Sequence, residues 1–242
     1  MPDAEPLRVP HARPPVRTSF NGRFVRLEPL DPLAHLGDLF AAAAEPTIFD
    51  WLGYGPFADR DAMQAWLEAR ALSVDPLFFA VRDLRNDRVR GMCAWLRLDP
   101  PMGVIEIGHI WYGVGLRRTP GPTEAMYLLF RHAFEACGYR RLEWKCNAAN
   151  SKSRDAASRF GFTYEGIFRQ HMISKGRSRD TAWFSLLDHE WPATRTAFER
   201  WLAPANFTAD GGQIARLADL IAAARADRAG TAARHSGRQP KD

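Results

Sequence analysis

Residues 104–125 read VIEIGHIWYGVGLRRTPGPTEA, and the way this stretch divides decides the fold. Val104–Val114 has the period of a strand, Gly115–Pro122 is a short loop, and a long helix opens at Thr123. Glu124 sits in the first turn of that helix, which runs to Cys137 and stops at Gly138. Unpaired N–H groups and the dipole at a helix start both favour negative charge, so a phosphate or pyrophosphate belongs there. Taken alone, the stretch also suits an ordinary strand-to-helix connection.

Upstream, Leu77–Asp83, a turn at Arg85–Arg88, Val89–Leu98 and a bend at Asp99–Gly103 lead into Val104, which predicts three consecutive antiparallel strands. Further back, Phe24–Leu30 alternates as a strand, and Asp31-Pro32 caps a helix over Leu33–Ala44. A second helix fits Asp59–Ala71, with Met63, Trp66, Leu67 and Arg70 on one stripe. Downstream come a strand at Arg141–Cys146, a helix at Ser151–Phe160 stopped by Gly161, and a hairpin of Thr163–Ile173 with Thr181–Leu187 across Lys175–Arg179. The order predicts an α/β fold of the mixed α+β kind: a mostly antiparallel sheet of six to seven strands with helices on both faces. The domain spans 21–191. A Pro- and Arg-rich tail is expected over 1–20, a helical appendage over 192–228 and a flexible tail over 229–242.

The 242 residues are 46% hydrophobic and 25% charged, which excludes a disordered or fibrous chain. The formal charge of +5 comes from the ends: residues 1–23 carry +2, residues 225–242 carry +3, and 24–224 balances. A nucleic-acid reader clusters its Lys and Arg on one face, so the balanced core argues against that class of partner. Cys93, Cys137 and Cys146 are odd in number and far apart and read as reduced core residues. The histidines lack His-x-x-x-His spacing, so no metal is expected. No run approaches the ~20 apolar residues of a membrane span, and no signal-type run opens the chain, so no membrane contact and a cytoplasmic location are expected.

A second signal lies at Asn150-x-x-Ser153, which caps a helix ending Arg159-Phe160-Gly161-Phe162. With the first loop, in this strand order and at this separation, it resembles the GCN5-related N-acetyltransferase (GNAT) superfamily over about 22–190. The branch containing ribosomal-protein N-terminal acetyltransferases typically begins Gly-x-x-Val-x-Leu-x-Pro-Leu and runs Glu-Ile-Gly-(Tyr/His) into a Thr-Glu-Ala helix. Gly22-Arg23-Phe24-Val25-Arg26-Leu27-Glu28-Pro29-Leu30, Glu106-Ile107-Gly108-His109 and Thr123-Glu124-Ala125 match these elements in order.

The resemblance implies acetyl-CoA as cosubstrate. Anchoring the family's (Gln/Arg)-x-x-Gly-x-(Gly/Ala) loop on Thr-Glu-Ala puts Arg117 first, with Pro120 and Pro122 at the two glycine positions. Proline has no N–H to offer a pyrophosphate. Arg118, Thr119, Gly121 and Thr123 keep their amides, and both arginine side chains can add charge-assisted contacts. A frame shifted to Arg118-x-x-Gly121-x-Thr123 restores one glycine in a loop shorter by one residue. The resemblance also implies that the backbone of Ile110, Trp111 and Tyr112 pairs with the pantetheine arm and offers an oxyanion donor, and that the Asn150 side chain reaches the same arm. Ser153 serves either that arm or only its helix.

Amide formation from a thioester requires a neutral amine, an oxyanion donor and a proton for the leaving thiolate. Relatives often use a Tyr where this chain has Ala157 and a Glu where it has Lys145, so the proton path uses other groups or water. Glu106 is the first candidate base and His109 the second; the alternatives are a structural role for Glu106 and core packing for His109. Strand alternation places the two on opposite faces unless a bulge intervenes. Glu143 reads as base or ion pair. For the acceptor, Lys175, Arg177 and Arg179 could hold an acidic group and Asp180 a cationic one, with Asp50–Pro56 as another wall. The expected function is acetyl transfer to a primary amine, on a protein N-terminus or a small molecule, by direct attack in a ternary complex and as monomer or homodimer. The alternative is a non-catalytic acyl-CoA-binding or ribosome-associated module.

Overall fold

Hydrophobic alternation and capping signals resolve into β1 (Phe20–Asn21), β2 (Val25–Pro29), α1 (Pro32–Ala42), α2 (Arg60–Ala71), β3 (Leu77–Asp83), β4 (Arg88–Asp99) and β5 (Val104–Tyr112). They continue as α3 (Gly121–Arg131), β6 (Arg141–Asn147), α4 (Ser151–Arg159), β7 (Thr163–Ser174), β8 (Arg177–Leu187), α5 (Trp191–Leu202) and α6 (Leu217–Ser236). These come from a computed structural model, which describes residues 12–236. The strands form an eight-stranded mixed sheet, mostly antiparallel, in the order β1-β2-β3-β4-β5-β6-β8-β7. The strand beyond the expected seven is β1, whose two residues pair with Arg26 and Leu27 and are too few to show a period.

Contacts divide the chain into two compact units, one running to Lys145 and including Ser174–Gly176, the other holding Cys146–Ile173 and the chain from Arg177. In the first unit, α1 starts where Asp31 accepts hydrogen bonds from the N–H groups of Leu33 and Ala34, and α2 where Asp59 accepts from Ala62. Leu36 and Leu39 of α1 and Met63 and Leu67 of α2 are buried in one cluster with Phe78, Ala80, Met92, Ala94 and Trp111 of the sheet. Each Leu, Met or Phe among them withdrawn from water stabilises the fold by about 1.5–3 kcal/mol. The opposite sheet face carries Phe79 and Trp95, and the His132 ring after α3 stacks on Trp95 at 5.3 Å between centroids.

Two boundaries near the expected loop move. α3 begins at Gly121, with Pro120 as N-cap and Pro122 in the first turn, where a missing N–H interrupts no hydrogen bond. It ends at Arg131 and continues as a π-helical turn, His132–Ala136. Most of the expected 1–20 tail lies outside the described residues; within them, Arg13 donates its N–H to Cys137 O at 2.8 Å.

β7 and β8 meet at the two-residue turn Lys175-Gly176, shorter than the expected five-residue tip. Both residues have positive φ, 49° and 73°, the geometry that matches the twist of paired strands. Arg177 and Arg179 therefore lie in β8, and Asp180 accepts the Gln170 N–H at 2.7 Å. α4 ends at Gly161, φ 87°, whose carbonyl accepts from Arg225 of α6 at 2.6 Å. The three cysteines are buried with free thiols. No helix among the described residues is long and apolar enough to cross a membrane.

Candidate active site

β5 is irregular where the chemistry was expected. Ala94 pairs with Gly108 and Met92 with Trp111, so β5 fits His109 and Ile110 opposite the single residue Cys93. His109 occupies this bulge with φ 53°. Leu96 pairs with Glu106 on the same side of the ladder as Ala94 and Met92, which puts Glu106, Gly108 and Trp111 on one face. The His109 ring lies on that face as well, 4.9 Å from the Phe78 ring and 5.6 Å from the Tyr54 ring. The bulge thus overrides the alternation that would have separated the two candidate bases.

On its other edge β5 is paired only in part. Parallel pairing with β6 covers Val104↔Arg141 to Ile107↔Trp144 and goes no further, so Gly108–Tyr112 is paired in the sheet only with β4. A half-paired backbone of this kind can accept the amide groups of an extended ligand.

Below the bulge, charges form a connected chain. Glu106 is buried, and its Oε2 meets Lys145 Nζ at 3.0 Å and Arg97 Nη1 at 3.2 Å. Lys145 also reaches Glu143 at 2.6 Å, and Arg141 holds Glu143 at 2.8 Å. Burial pushes the Glu106 carboxyl above its usual range against the pull of Lys145 and Arg97. Its Oε1 has no partner in the network and lies 3.8 Å from where a Cβ on Gly108 would stand. Burial, with Arg70 and Arg97 nearby, lowers the His109 imidazole to about 4, so the ring is neutral across the physiological range. Glu143 is ion-paired, one of the two roles considered for it.

Beyond β5 the loop folds on itself. Leu116 and Arg117 donate their N–H groups to Gly113 O at 3.1 and 3.3 Å, and Thr119 Oγ1 donates to Leu116 O at 2.8 Å. The Gly121 amide points to Thr119 Oγ1 at 3.3 Å and the Thr123 amide to Pro120 O at 3.1 Å, so these two of the expected donors are engaged within the chain. The Arg118 and Thr119 N–H groups have no acceptor among the described residues. Arg117, expected to face a pyrophosphate, is instead bound to Tyr112 O through Nε at 2.7 Å and to Glu45 through Nη1 at 2.7 Å. Arg118 is exposed, has φ 60° and no ion pair among the described residues. Two open amides beside an unpaired guanidinium fit an anionic group.

The segment after α1 forms an aromatic wall. Tyr54 stacks on Trp66 at 4.2 Å, and Phe49 lies 5.9 Å from Trp111. Gly55 approaches Phe49 so closely that a Cβ there would stand 2.4 Å from the ring. Lys175, read as a possible acceptor contact, donates from Nζ to Phe49 O at 2.9 Å and Gly55 O at 2.7 Å. Its ammonium closes the Phe49–Gly55 loop.

In the second unit, Asn150 Oδ1 accepts the Ser153 N–H at 3.1 Å and caps α4. Burial raises the Cys146 thiol against the opposing pull of the Ser153 side chain, and Ala157 is fully buried. Arg97 is a site residue that sequence reasoning missed, because the Arg97–Glu106 pair exists only through the β4–β5 register.

Comparison with known proteins identifies the family of the fold. The crystal structure of a GCN5-related N-acetyltransferase from Brucella melitensis superposes with a TM-score of 0.86 and 48% identity, over 87% of this chain and 97% of that one. A probable GNAT-family acetyltransferase from Chromobacterium violaceum gives 0.73 and 40% over 78% and 96%. The Bacillus licheniformis protein named uncharacterized N-acetyltransferase p20 is 27% identical over 61% of this chain and 84% of its own length. The family model described as an acetyltransferase (GNAT) domain matches residues 25–163, and the chain therefore belongs to the GNAT acetyltransferases.

Proposed function

We propose that the chain transfers the acetyl group of acetyl-CoA to a primary amine by direct attack in a ternary complex, with no covalent enzyme intermediate. The observation that carries this is the parting of β5 from β6 after Ile107↔Trp144, beside the His109 bulge. It gives the half-paired backbone at Ile110, Trp111 and Tyr112 a place for a pantetheine arm. That strand leads into the loop whose Arg118 and Thr119 amides are open to a pyrophosphate.

Glu106 Oε1 lies on the Gly108 side of its carboxylate, beside the Leu96 side chain, and takes the acceptor's proton through water. His109 stays neutral and lines the acceptor side with Tyr54. A thiol of pKa about 8.5 leaves readily, so a dedicated acid is dispensable. Asn150 and Ser153 remain candidates for the pantetheine arm through the groups their capping role leaves over.

The ion pairs of Glu106 with Lys145 and Arg97 favour the second reading, a CoA-binding module without turnover. A thiol-release assay with acetyl-CoA against peptides, amino acids, polyamines and aminoglycosides separates the two. Turnover with any amine, lowered at least tenfold in Glu106→Gln, supports transfer. Tight CoA binding without turnover supports the module, and no CoA binding at millimolar ligand rejects both.

A further inference from the structure

Arg90 is the residue that the β3–β4 ladder leaves out. Val81 pairs with Gly91 and Arg82 with Val89, so Arg90 is inserted on β4 as a bulge. Bulges re-aim side chains and are enriched beside active sites. The Arg90 carbonyl accepts the Gly113 N–H at 2.8 Å, fixing its backbone to the end of β5. Its guanidinium lies over the loop, with Cζ and Nη1 each 3.7 Å from where a Cβ on Gly115 would stand.

Arg85, Arg88 and Arg117 around it have partners, and Arg90 has none among the described residues. Arg85 grips both Asp83 oxygens at 2.9 and 2.7 Å and also donates to Gly115 O at 2.8 Å. Arg88 pairs with Asp38 at 2.6 Å and Arg117 with Glu45 at 2.7 Å. Arg90 is half-buried, its Nε is shielded from solvent without a hydrogen-bond partner, and no carboxylate pairs with it among the described residues. Asp83 is near enough to feel its charge, but both of its oxygens already belong to Arg85. A cation drawn partly out of water without a counter-charge is unfavourable, and an incoming anion removes that penalty.

We propose that Arg90 binds a phosphate of the CoA nucleotide and sets the preference for phosphorylated over phosphate-free pantetheine ligands, an inference that rests on the acetyl-CoA reading. Arg90 and Arg118 then stand beside the Gly115–Thr119 loop as cations unpaired among the described residues.

Calorimetric titration of the full chain with CoA, dephospho-CoA and millimolar pantetheine tests this in the unaltered protein, Arg90→Gln and Arg90→Lys. Arg90→Gln should weaken CoA roughly tenfold to a hundredfold, the worth of a charge-assisted contact, and leave pantetheine unchanged. Arg90→Lys should lose only part of this, since it keeps the charge without the fork. A loss shared by CoA and dephospho-CoA assigns the pyrophosphate; a loss confined to CoA assigns the 3′-phosphate. The ligand-free melting temperature of Arg90→Gln should hold or rise, because no internal partner is lost. Unchanged CoA affinity in both variants overturns the inference while leaving the acetyltransferase reading standing, and so does an equal loss for pantetheine. No CoA binding by the unaltered chain overturns both.

Discussion

A Cβ on Gly22 would stand 2.3 Å from Oε2 of Glu124, one hundred and two positions further along the chain. The buried Glu124 carboxylate fills the turn between β1 and β2, accepting N–H groups from Arg23 at 2.8 Å, Phe24 at 2.6 Å and Val25 at 2.9 Å. The Gly-x-x-Val start and the Thr-Glu-Ala helix are thus two halves of one structural lock. Glu124→Gln would turn an amide toward donors, at about 2–4 kcal/mol, and Gly22→Ala would force the carboxylate aside at about 1–3 kcal/mol. Denaturant unfolding should show both losses, while Km for acetyl-CoA in the folded fraction stays near the unaltered value.

A second lock has a pH signature. Burial raises the Glu28 carboxyl, but hydrogen bonds from Arg82 and Arg26 outweigh it and hold the group at about 2. His35 accepts the Asp31 N–H on Nδ1, so its proton sits on Nε2, 2.9 Å from Glu28 Oε2, and burial lowers the ring. Both folded-state values lie below their unfolded ones, so both contributions are complete above the unfolded values. They fade as pH falls, first below about 6.5 for His35 and then from about 4.5 toward 2 for Glu28. Melting temperature against pH should show this two-part acid limb, and Glu28→Gln should remove its lower part.

Strand order, the two capped helices and the place of the loop between β5 and α3 were legible because each depends on local period, caps and turn residues. Val104–Tyr112 and Arg60–Ala71 lie within two residues of their expected bounds. The features that shape the site were not legible. The bulges at His109 and Arg90 are differences in residue count between strands distant in sequence, visible only once pairing is known. Lys145 stood out as a departure from a Glu, but its bond to Glu106 required the β5–β6 register. Helix α3 starts two residues early because Pro120 and Pro122 occupy the positions that tolerate proline, although they read as loop.

Lys175 donates to two carbonyls six residues apart and thereby sets the width of the Phe49–Gly55 loop. Lys175→Met removes both bonds, each worth about 0.5–1.5 kcal/mol, and leaves Phe49 and Tyr54 to their ring contacts. Hydrogen exchange over residues 49–56 should accelerate several-fold while the β3–β5 amides keep their protection. With an identified amine, Km for the acceptor should rise and Km for acetyl-CoA should not. Unchanged exchange at 49–56 would show that the aromatic packing alone holds the loop.

His109 and Glu106 share a face, yet their environments send them in opposite directions, the imidazole down to about 4 and the carboxyl upward. An imidazole near 4 is already neutral at pH 5, so it contributes no inflection between pH 5 and 8. The slope of kcat/KM should therefore follow deprotonation of the acceptor amine and, at its acid end, of Glu106. His109→Gln should leave the shape of that profile unchanged and lower stability by about 1–3 kcal/mol, because it places an amide against the Phe78 and Tyr54 rings. Glu106→Gln should remove the acid limb and lower kcat. An inflection near 6.5 that disappears in His109→Gln would instead make the imidazole the working base and reduce Glu106 to an ion-pair partner of Lys145.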